Sequence, residues 1–220
     1  MTRSSGLQPD RSARTRASYD SVAEEYASHI CDELDHRPQE RELLQRFARR
    51  CLNRGCICDL GCGPGHISRY LRDFNPDVIG LDLSFGLLRQ AHHRHPGMLF
   101  LQGDMLTLPF ASETLGGIVA FYSIIHFDSR QVDLALAEMR RVLRPQGQLL
   151  VGFHVGSDTV HVDELWGVSV DLDATFFAVD DLNGRLARLG FSVVEQFQRD
   201  PYPEVEYQSV RGYIWAEKLG

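Results

Sequence analysis

The sequence predicts an α/β fold, a parallel sheet covered by helices on both faces, and three observations carry that reading. Short apolar runs recur at Cys56 to Leu60, Asp77 to Asp82, Leu99 to Leu101, Leu115 to Tyr122 and Gln148 to Val155. Segments with helical apolar spacing separate them, and parallel strands need such crossovers. A glycine-rich turn, Asp59-Leu60-Gly61-Cys62-Gly63-Pro64-Gly65, closes the first run and opens a helix.

Taken in order, Met1 to Arg16 is rich in Arg, Ser, Gly and Pro without an apolar stretch, so a disordered leader is expected rather than a signal peptide. Ala17 to Cys31 places Val22, Tyr26 and Ile30 on one helical face. Pro38 opens a second helix with Leu43, Leu44, Phe47 and Leu52 apolar and Gly55 as its stop. Residues 17–54 therefore read as a helical arm, and residues 55–220 as the main domain. Within it, helices are expected at His66 to Phe74, from the cap Ser84 to Arg94, and at Gln131 to Leu143, where Val132, Leu136, Met139 and Leu143 share a side. Gly156 to Phe177 breaks the alternation, and its apolar and aromatic content predicts an ordered lid over the C-terminal edge of the sheet. A helix at Val179 to Leu189 and strands at Phe191 to Phe197 and Tyr207 to Ala216 end the chain.

Composition narrows the class. The 220 residues are 43% hydrophobic and 24% charged, as in one ordinary globular domain. The net charge of −7 is opposite in sign to the footprint of a polyanion binder. The longest uncharged apolar stretch, Thr114 to Phe127, is shorter than the ~17–25 residues of a membrane helix, so no membrane association is expected. Cys51, Cys56, Cys58 and Cys62 crowd around one strand, which suits reduced thiols in a cytoplasmic protein better than a disulfide framework. Cys56 and Cys58 share a face of that strand and no second Cys pair follows, so no metal site is expected. The run His92, His93, His95 suits a helix end, and Asp171, Asp173, Asp180 and Asp181 a solvated lid face rather than a cation site.

Glycines at the turn let the chain bend sharply and admit a ligand against the backbone. The spacing is G-x-G-x-G with His66 next, not the G-x-G-x-x-G of a dinucleotide site, so a nucleoside is a better fit than a pyrophosphate. Asp82 ends the second strand, where a carboxylate can accept from both ribose hydroxyls, and Gly103-Asp104-Met105 ends the third, where Asp104 can accept from an adenine amine and Met105 can cover the base.

With these residues together, the chain resembles the class I S-adenosylmethionine-dependent methyltransferases of the small-molecule, ubiquinone-biosynthesis-like type. Cys58 to Gly65, Gly80 to Ser84, Gly103 to Met105 with Leu108 to Phe110, Ala120 to Phe127 and Arg140 to Phe153 carry the resemblance. It implies a Rossmann-like, doubly wound sheet of seven strands, mostly parallel, with the last strand antiparallel. It implies S-adenosylmethionine as cofactor, with Gly61, Gly63 and Gly65 under the methionyl part, Asp82 on the ribose, and Asp104 and Met105 at the adenine. Asp59, Cys62, Leu83, Phe121 and Tyr122, within these motifs, complete the expected cofactor set. Tyr19-Asp20-x-x-Ala23-x-x-Tyr26 resembles the arm with which relatives close over the cofactor, making Tyr19 a candidate contact to its carboxylate.

Methyl transfer is an in-line displacement that needs alignment in a dry pocket, and a base only if the acceptor must lose a proton. His126, just past the fourth strand, is the candidate catalytic base; the plainer alternative is a histidine that packs at a strand end. Tyr26, Ser123, His126, His154 and Trp166 are the candidate substrate-binding residues, with Phe176 and Phe177 beside them or in the lid's core. The Asn/Asp-Pro-Pro-aromatic run of relatives that methylate nucleobase or glutamine amino groups is replaced by Phe121-Tyr122-Ser123-Ile124, so a small-molecule acceptor methylated on O, N or S is expected, and no nucleic acid. A homodimer is left open. The competing readings are a non-catalytic nucleoside-binding domain and a dinucleotide oxidoreductase, the latter disfavoured by His66 and the Gly-Asp-Met segment.

Overall fold

The computed structural model describes residues 10–220. One seven-stranded sheet has the order β3-β2-β1-β4-β5-β9-β8, formed by β1 (Cys56–Leu60), β2 (Val78–Asp82), β3 (Leu99–Gln102), β4 (Leu115–Phe121), β5 (Leu143–His154), β8 (Phe191–Arg199) and β9 (Arg211–Lys218). The pairs from β3 to β5 are parallel, whereas β9 runs antiparallel to both β5 and β8. The expected seven strands with an antiparallel last strand are thus present. The strand order reverses after β3: β2 and β4 pair with opposite sides of β1, and such a switch point opens a crevice at the strand C-termini.

Strand periodicity explains why both faces are covered. Cys58, Leu60, Ile118, Ala120, Leu149, Val151 and Ile214 pack on one side with α5 (Ser129–Val142) and α6 (Val179–Arg188). Their alternates Ile57, Val119, Phe121, Leu150, Tyr213 and Trp215 pack on the other with α2 (Pro38–Arg50) and α3 (His66–Arg72). A side-chain period of 2 makes each strand apolar on both faces, as a doubly covered sheet requires. Local signals start the helices: Asp128 and Gln131 form a reciprocal cap on α5, and Ser84 Oγ accepts from Leu87 N to cap α4 (Phe85–Arg94).

Four expectations need correction. Residues 1–9 of the expected leader lie outside the described residues, but its remainder is not disordered: α1 spans Arg11–Ile30, and Arg11 and Arg14 pair with Asp173. The helix therefore starts earlier because a distant acidic segment holds its first turn. That same segment is a solvated acidic face only in part: Asp171 is exposed, but both it and Asp173 receive Arg14. Helix α2 ends at Arg50, leaving Leu52 44% exposed beyond it. The last strand starts at Arg211 rather than Tyr207, because Glu206 turns inward beneath arginines and pulls the preceding chain out of the ladder.

The segment expected as a lid is a hairpin, β6 (Thr159–Leu165) and β7 (Val168–Thr175), joined at Trp166-Gly167. Both turn residues have positive φ, +48° and +81°, as a tight two-residue hairpin turn demands. Val170 and Leu172 of β7 pack with Val22 of α1, so arm and hairpin form one roof.

Candidate active site

The crevice begins where β1 ends. Gly61 N and Cys62 N both donate to Leu81 O, at 2.7 and 3.1 Å, folding the chain back across the tip of β2. Gly61 has φ +74°, and a Cβ there would stand 2.4 Å from Ser123 Cβ, so only a bare backbone fits. Gly63 N donates to Asp82 Oδ2 and Ser84 N to Asp82 Oδ1, each at 2.8 Å, fixing the carboxylate at the mouth of the turn. Burial pushes the Asp82 carboxyl up to about 6, against the pull of those N–H groups. Each carboxylate oxygen has a second lone pair left for a ligand.

Around Asp82 lies a hollow of about 670 Å³ including its open mouth, lined by Gly61, Gly63, Leu83, Asp104, Met105, Phe121, Tyr122 and Ser123, with Tyr19 and Tyr26 from the arm. Asp104 Oδ1 accepts from Leu106 N at 2.8 Å, which orients it at the end of β3. The Ser123 hydroxyl is buried there without a partner, an unmet hydrogen-bonding group that a ligand can satisfy.

The arm is tied down across the crevice. Asp20 Oδ1 accepts from Ser84 Oγ (2.6 Å) and Gly86 N (2.8 Å), and Ser18 Oγ accepts from Asp171 N (2.8 Å). Tyr19 OH is 2.8 Å from His126 Nε2, and His126 Nδ1 is 3.1 Å from Asp173 O. A carbonyl only accepts, so Nδ1 carries the ring hydrogen and Nε2 accepts from Tyr19. Enclosure by the protein pulls the imidazole down to about 4 and pushes the Tyr19 hydroxyl up. The pair is therefore a neutral imidazole facing a protonated phenol at neutral pH.

Tyr19, Tyr26 and His126 also line a second, larger compartment of about 2090 Å³, again counting its open mouth. Trp166, at the hairpin turn, stacks on His29 at 4.4 Å and meets Tyr26 edge-on at 5.8 Å. His154 stacks on Phe176 at 4.9 Å, its Nδ1 lies 2.6 Å from Ser209 Oγ, and burial with the nearby Arg211 pulls its pKa down to about 3. The floor is a buried ion lattice. Glu206 receives Arg199, Arg211 (3.2 Å) and Arg37 (3.4 Å); Glu40 receives Arg199 and the Tyr213 hydroxyl; Glu33 receives Arg37 (2.9 Å) and His66 (2.9 Å).

Comparison with known proteins now bears on this geometry. Residues 57–147 match the family model described as a methyltransferase domain. The malonyl-[acyl-carrier protein] O-methyltransferase of Enterobacter lignolyticus is 34% identical over 60% of this chain and 50% of its own length. The demethylmenaquinone methyltransferase of Renibacterium salmoninarum is 34% identical over 43% of this chain and 39% of its own. The crystal structure of magnesium protoporphyrin IX methyltransferase from Synechocystis PCC 6803 superposes with a TM-score of 0.71 at 15% identity, covering 97% of this chain and 100% of that one. Residues 57–147 therefore resemble a methyltransferase domain, and the whole chain shares the fold of solved methyltransferases. It spans half or less of the length of the two sequence relatives.

Within this structure, most residues singled out from sequence meet at one crevice. Tyr19, Gly61, Gly63, Asp82, Leu83, Asp104, Met105, Phe121, Tyr122 and Ser123 line the first hollow, and Tyr26, Cys62, His126, His154 and Trp166 the second. Asp59 lines neither: it sits behind the turn, accepts from Ser68 Oγ at 2.6 Å, and anchors α3. Gly65 works at one remove, its φ of +84° starting α3 where a Cβ would strike Phe100. Cys62 presents backbone to the site while its side chain packs with Leu88, Ala91 and Phe100. Sequence reasoning missed Glu33, Arg37, Glu206, Tyr207 and Arg211. Glu33 and Arg37 carry an i,i+4 spacing that could have flagged them as a pair, but nothing local shows that they face the compartment, because the link from Arg37 to Glu206 joins two distant stretches of chain. Among the described residues no helix is long and apolar enough to cross a membrane, and all five cysteines are free.

Proposed function

We propose that this protein transfers a methyl group from S-adenosylmethionine to a small-molecule acceptor, leaving S-adenosylhomocysteine. The observation that carries the reading is the junction of two compartments: a nucleoside-sized hollow built on Asp82 and the glycine turn opens, past Tyr19 and His126, into a second room. A nucleoside-binding module has no use for that second room.

The first hollow suits the cofactor in three respects. Asp82 has acceptor capacity for ribose hydroxyls, the bare backbone at Gly61 leaves space that any side chain would fill, and the unpartnered Ser123 hydroxyl awaits a polar group. Asp104 and Met105 would hold the adenine, and Tyr19 and Tyr26 would close over the methionyl side. When bound, the sulfonium supplies an electrophilic methyl with a neutral thioether as leaving group. The protein's part is to align, exclude water and handle the acceptor's proton, and positioning alone is worth roughly 7–11 kcal/mol in favourable cases. Relatives named for malonyl-[acyl-carrier protein] and demethylmenaquinone show that the shared domain does not dictate the acceptor. Free cysteines fit a reducing, cytoplasmic setting, and the charge of −7 supports a small molecule over nucleic acid.

Calorimetry with S-adenosylmethionine, S-adenosylhomocysteine and NAD is the test. Binding of the first two, lost in Asp82→Ala, together with S-adenosylhomocysteine release in the presence of a metabolite extract, is the expected result. Binding of NAD alone, or donor binding with no product from any extract, overturns the proposal.

A further inference from the structure

We infer that the acceptor is an uncharged, ring-bearing molecule presenting a protonated hydroxyl, and that Tyr19 takes its proton while passing its own to His126. This rests on the methyl-transfer reading above and concerns the second compartment and the neck that joins it to the first.

The electrostatics of the compartment come first. Two arginines line it, the usual grip for an anionic substrate, but neither is free. Arg37 is held by Glu33 at 2.9 Å and Glu206 at 3.4 Å. Arg211 is held by Glu206 at 3.2 Å and Tyr207 O at 2.8 Å, and lies over the Tyr122 ring at 4.9 Å. With Arg199 on Glu40 and Glu206, three guanidinium groups meet three carboxylates. In this balanced lattice every guanidinium already has a counter-carboxylate, so an added anion would be left without a countercharge, which is costly; the donors still without a hydrogen-bond partner, Arg37 Nε and Arg211 Nε, can meet a neutral oxygen instead. Most of the remaining wall is rings and apolar surface, Tyr26, Trp166, Phe176, His154 and Leu172 among them, with Glu204 and Gln208 as the polar exceptions on the segment before β9. Such walls suit a flat, neutral body.

The neck supplies the chemistry. A carboxylate acceptor arrives ionised and needs no base, whereas a hydroxyl attached to a ring, like that of tyrosine, ionises only near pH ~10 and does. Tyr19, Tyr26, Tyr122 and His126 line both compartments, and of the three tyrosines Tyr19 is the one whose hydroxyl donates to the bare imidazole nitrogen, at 2.8 Å. Asp173 O holds the opposite nitrogen protonated, so the vacant lone pair points at Tyr19. In the transfer, an acceptor oxygen lone pair forms the new O–C bond and the S–C pair stays on sulfur. The acceptor proton moves to the Tyr19 oxygen, and the Tyr19 proton moves to His126 Nε2. A positive sulfur is replaced by a positive imidazole, so the enclosed charge is unchanged. This offsets the burial and the Arg11 charge that hold His126 low in the free protein. Tyr19 is the catalytic residue, and His126, acting through it, positions it and stores the proton.

Two measurements on the full chain decide the matter. Nitrogen NMR of the histidine rings, without donor, is expected to show His126 protonated at Nδ1 and bare at Nε2, with the Nε2 signal moved by Tyr19→Phe; the opposite tautomer overturns the relay. Turnover is then followed as S-adenosylhomocysteine release from a panel of hydroxynaphthalenes and the matching naphthoates, after calorimetry has established donor binding. Hydroxynaphthalenes are expected to react and naphthoates not. His126→Gln should slow the former about 10²-fold with donor affinity unchanged, and a nitro-substituted hydroxynaphthalene, ionised at the assay pH, should recover the lost rate. An equal loss with the ionised and protonated acceptors overturns the relay. Preference for naphthoates, or no reaction of any hydroxy ring by donor-loaded protein, overturns the acceptor class. Failure to bind the donor at all overturns the methyl-transfer reading together with this one.

Discussion

The two compartments share a neck but are built in different ways. The donor hollow is made of strand tips: its polar contacts come from Gly63 N, Ser84 N and Leu106 N, which hold Asp82 and Asp104 within two short stretches of chain. The acceptor compartment is assembled from α1, the β6–β7 hairpin and the segment before β9, tied by side chains across more than a hundred residues. Backbone-built sites tolerate little variation because the main chain is the ligand's surface. Side-chain-built walls can change one residue at a time, which is how one donor site can serve many acceptors.

Glu206→Ala should make the largest difference, and it should fall on one compartment. Glu206 is fully enclosed beneath three arginines, and removing one partner of a buried charged network costs about 3–5 kcal/mol. Urea unfolding should show that loss, while donor affinity of the folded protein stays the same. If donor affinity falls in step, the two compartments are not separately built.

Next in size is Asp82→Ala, which should weaken donor binding about 10²-fold by removing hydrogen bonds to a charged group, worth about 1.5–3 kcal/mol each. The pH dependence sharpens this. The Asp82 pKa is raised by burial from 3.8 to about 6, so in the empty protein its contribution to stability is present below the unfolded value and lost as pH rises through about 6. Lowering the pH from 7 toward 5 should therefore raise the unliganded Tm while weakening donor affinity, since a protonated Asp82 accepts fewer hydrogen bonds. Asp59, raised to about 6 as well, contributes to the Tm in the same direction but not to affinity. Asp82→Ala should abolish the affinity trend and only part of the Tm trend.

Trp166→Ala should give the smallest effect. The indole is 42% exposed and stacks on His29 at the hairpin turn, a contact worth about 0.5–1.5 kcal/mol. A few-fold rise in the acceptor KM with donor Kd and Tm unchanged is expected. A change in donor Kd would mean that the roof reaches into the first hollow.

Legibility in the sequence follows the same division. Gly61 and Gly65 were legible because a positive φ and an excluded Cβ impose a residue type on the spot. Ser84 was legible as a cap because a helix end must satisfy its N–H groups locally. The hairpin turn at Trp166-Gly167 was not read, although glycine at its second position hinted at it, because an aromatic residue at +48° is unusual. The helical start at Arg11 was not legible at all, since Asp171 and Asp173 are what hold it.

The amino-acid sequence by itself determined the strand–turn–helix unit, the carboxylate at the tip of β2 and the alternating sheet, because each of these is a demand that the backbone makes on residues near in sequence. Tertiary structure alone decided that the arginines of the acceptor compartment are neutralised, that Tyr19 faces a bare nitrogen of His126, and that arm and hairpin form one roof. Those facts depend on which distant side chains the sheet brings within hydrogen-bonding distance, and charge pairing acts over ångströms in space whatever the separation along the chain.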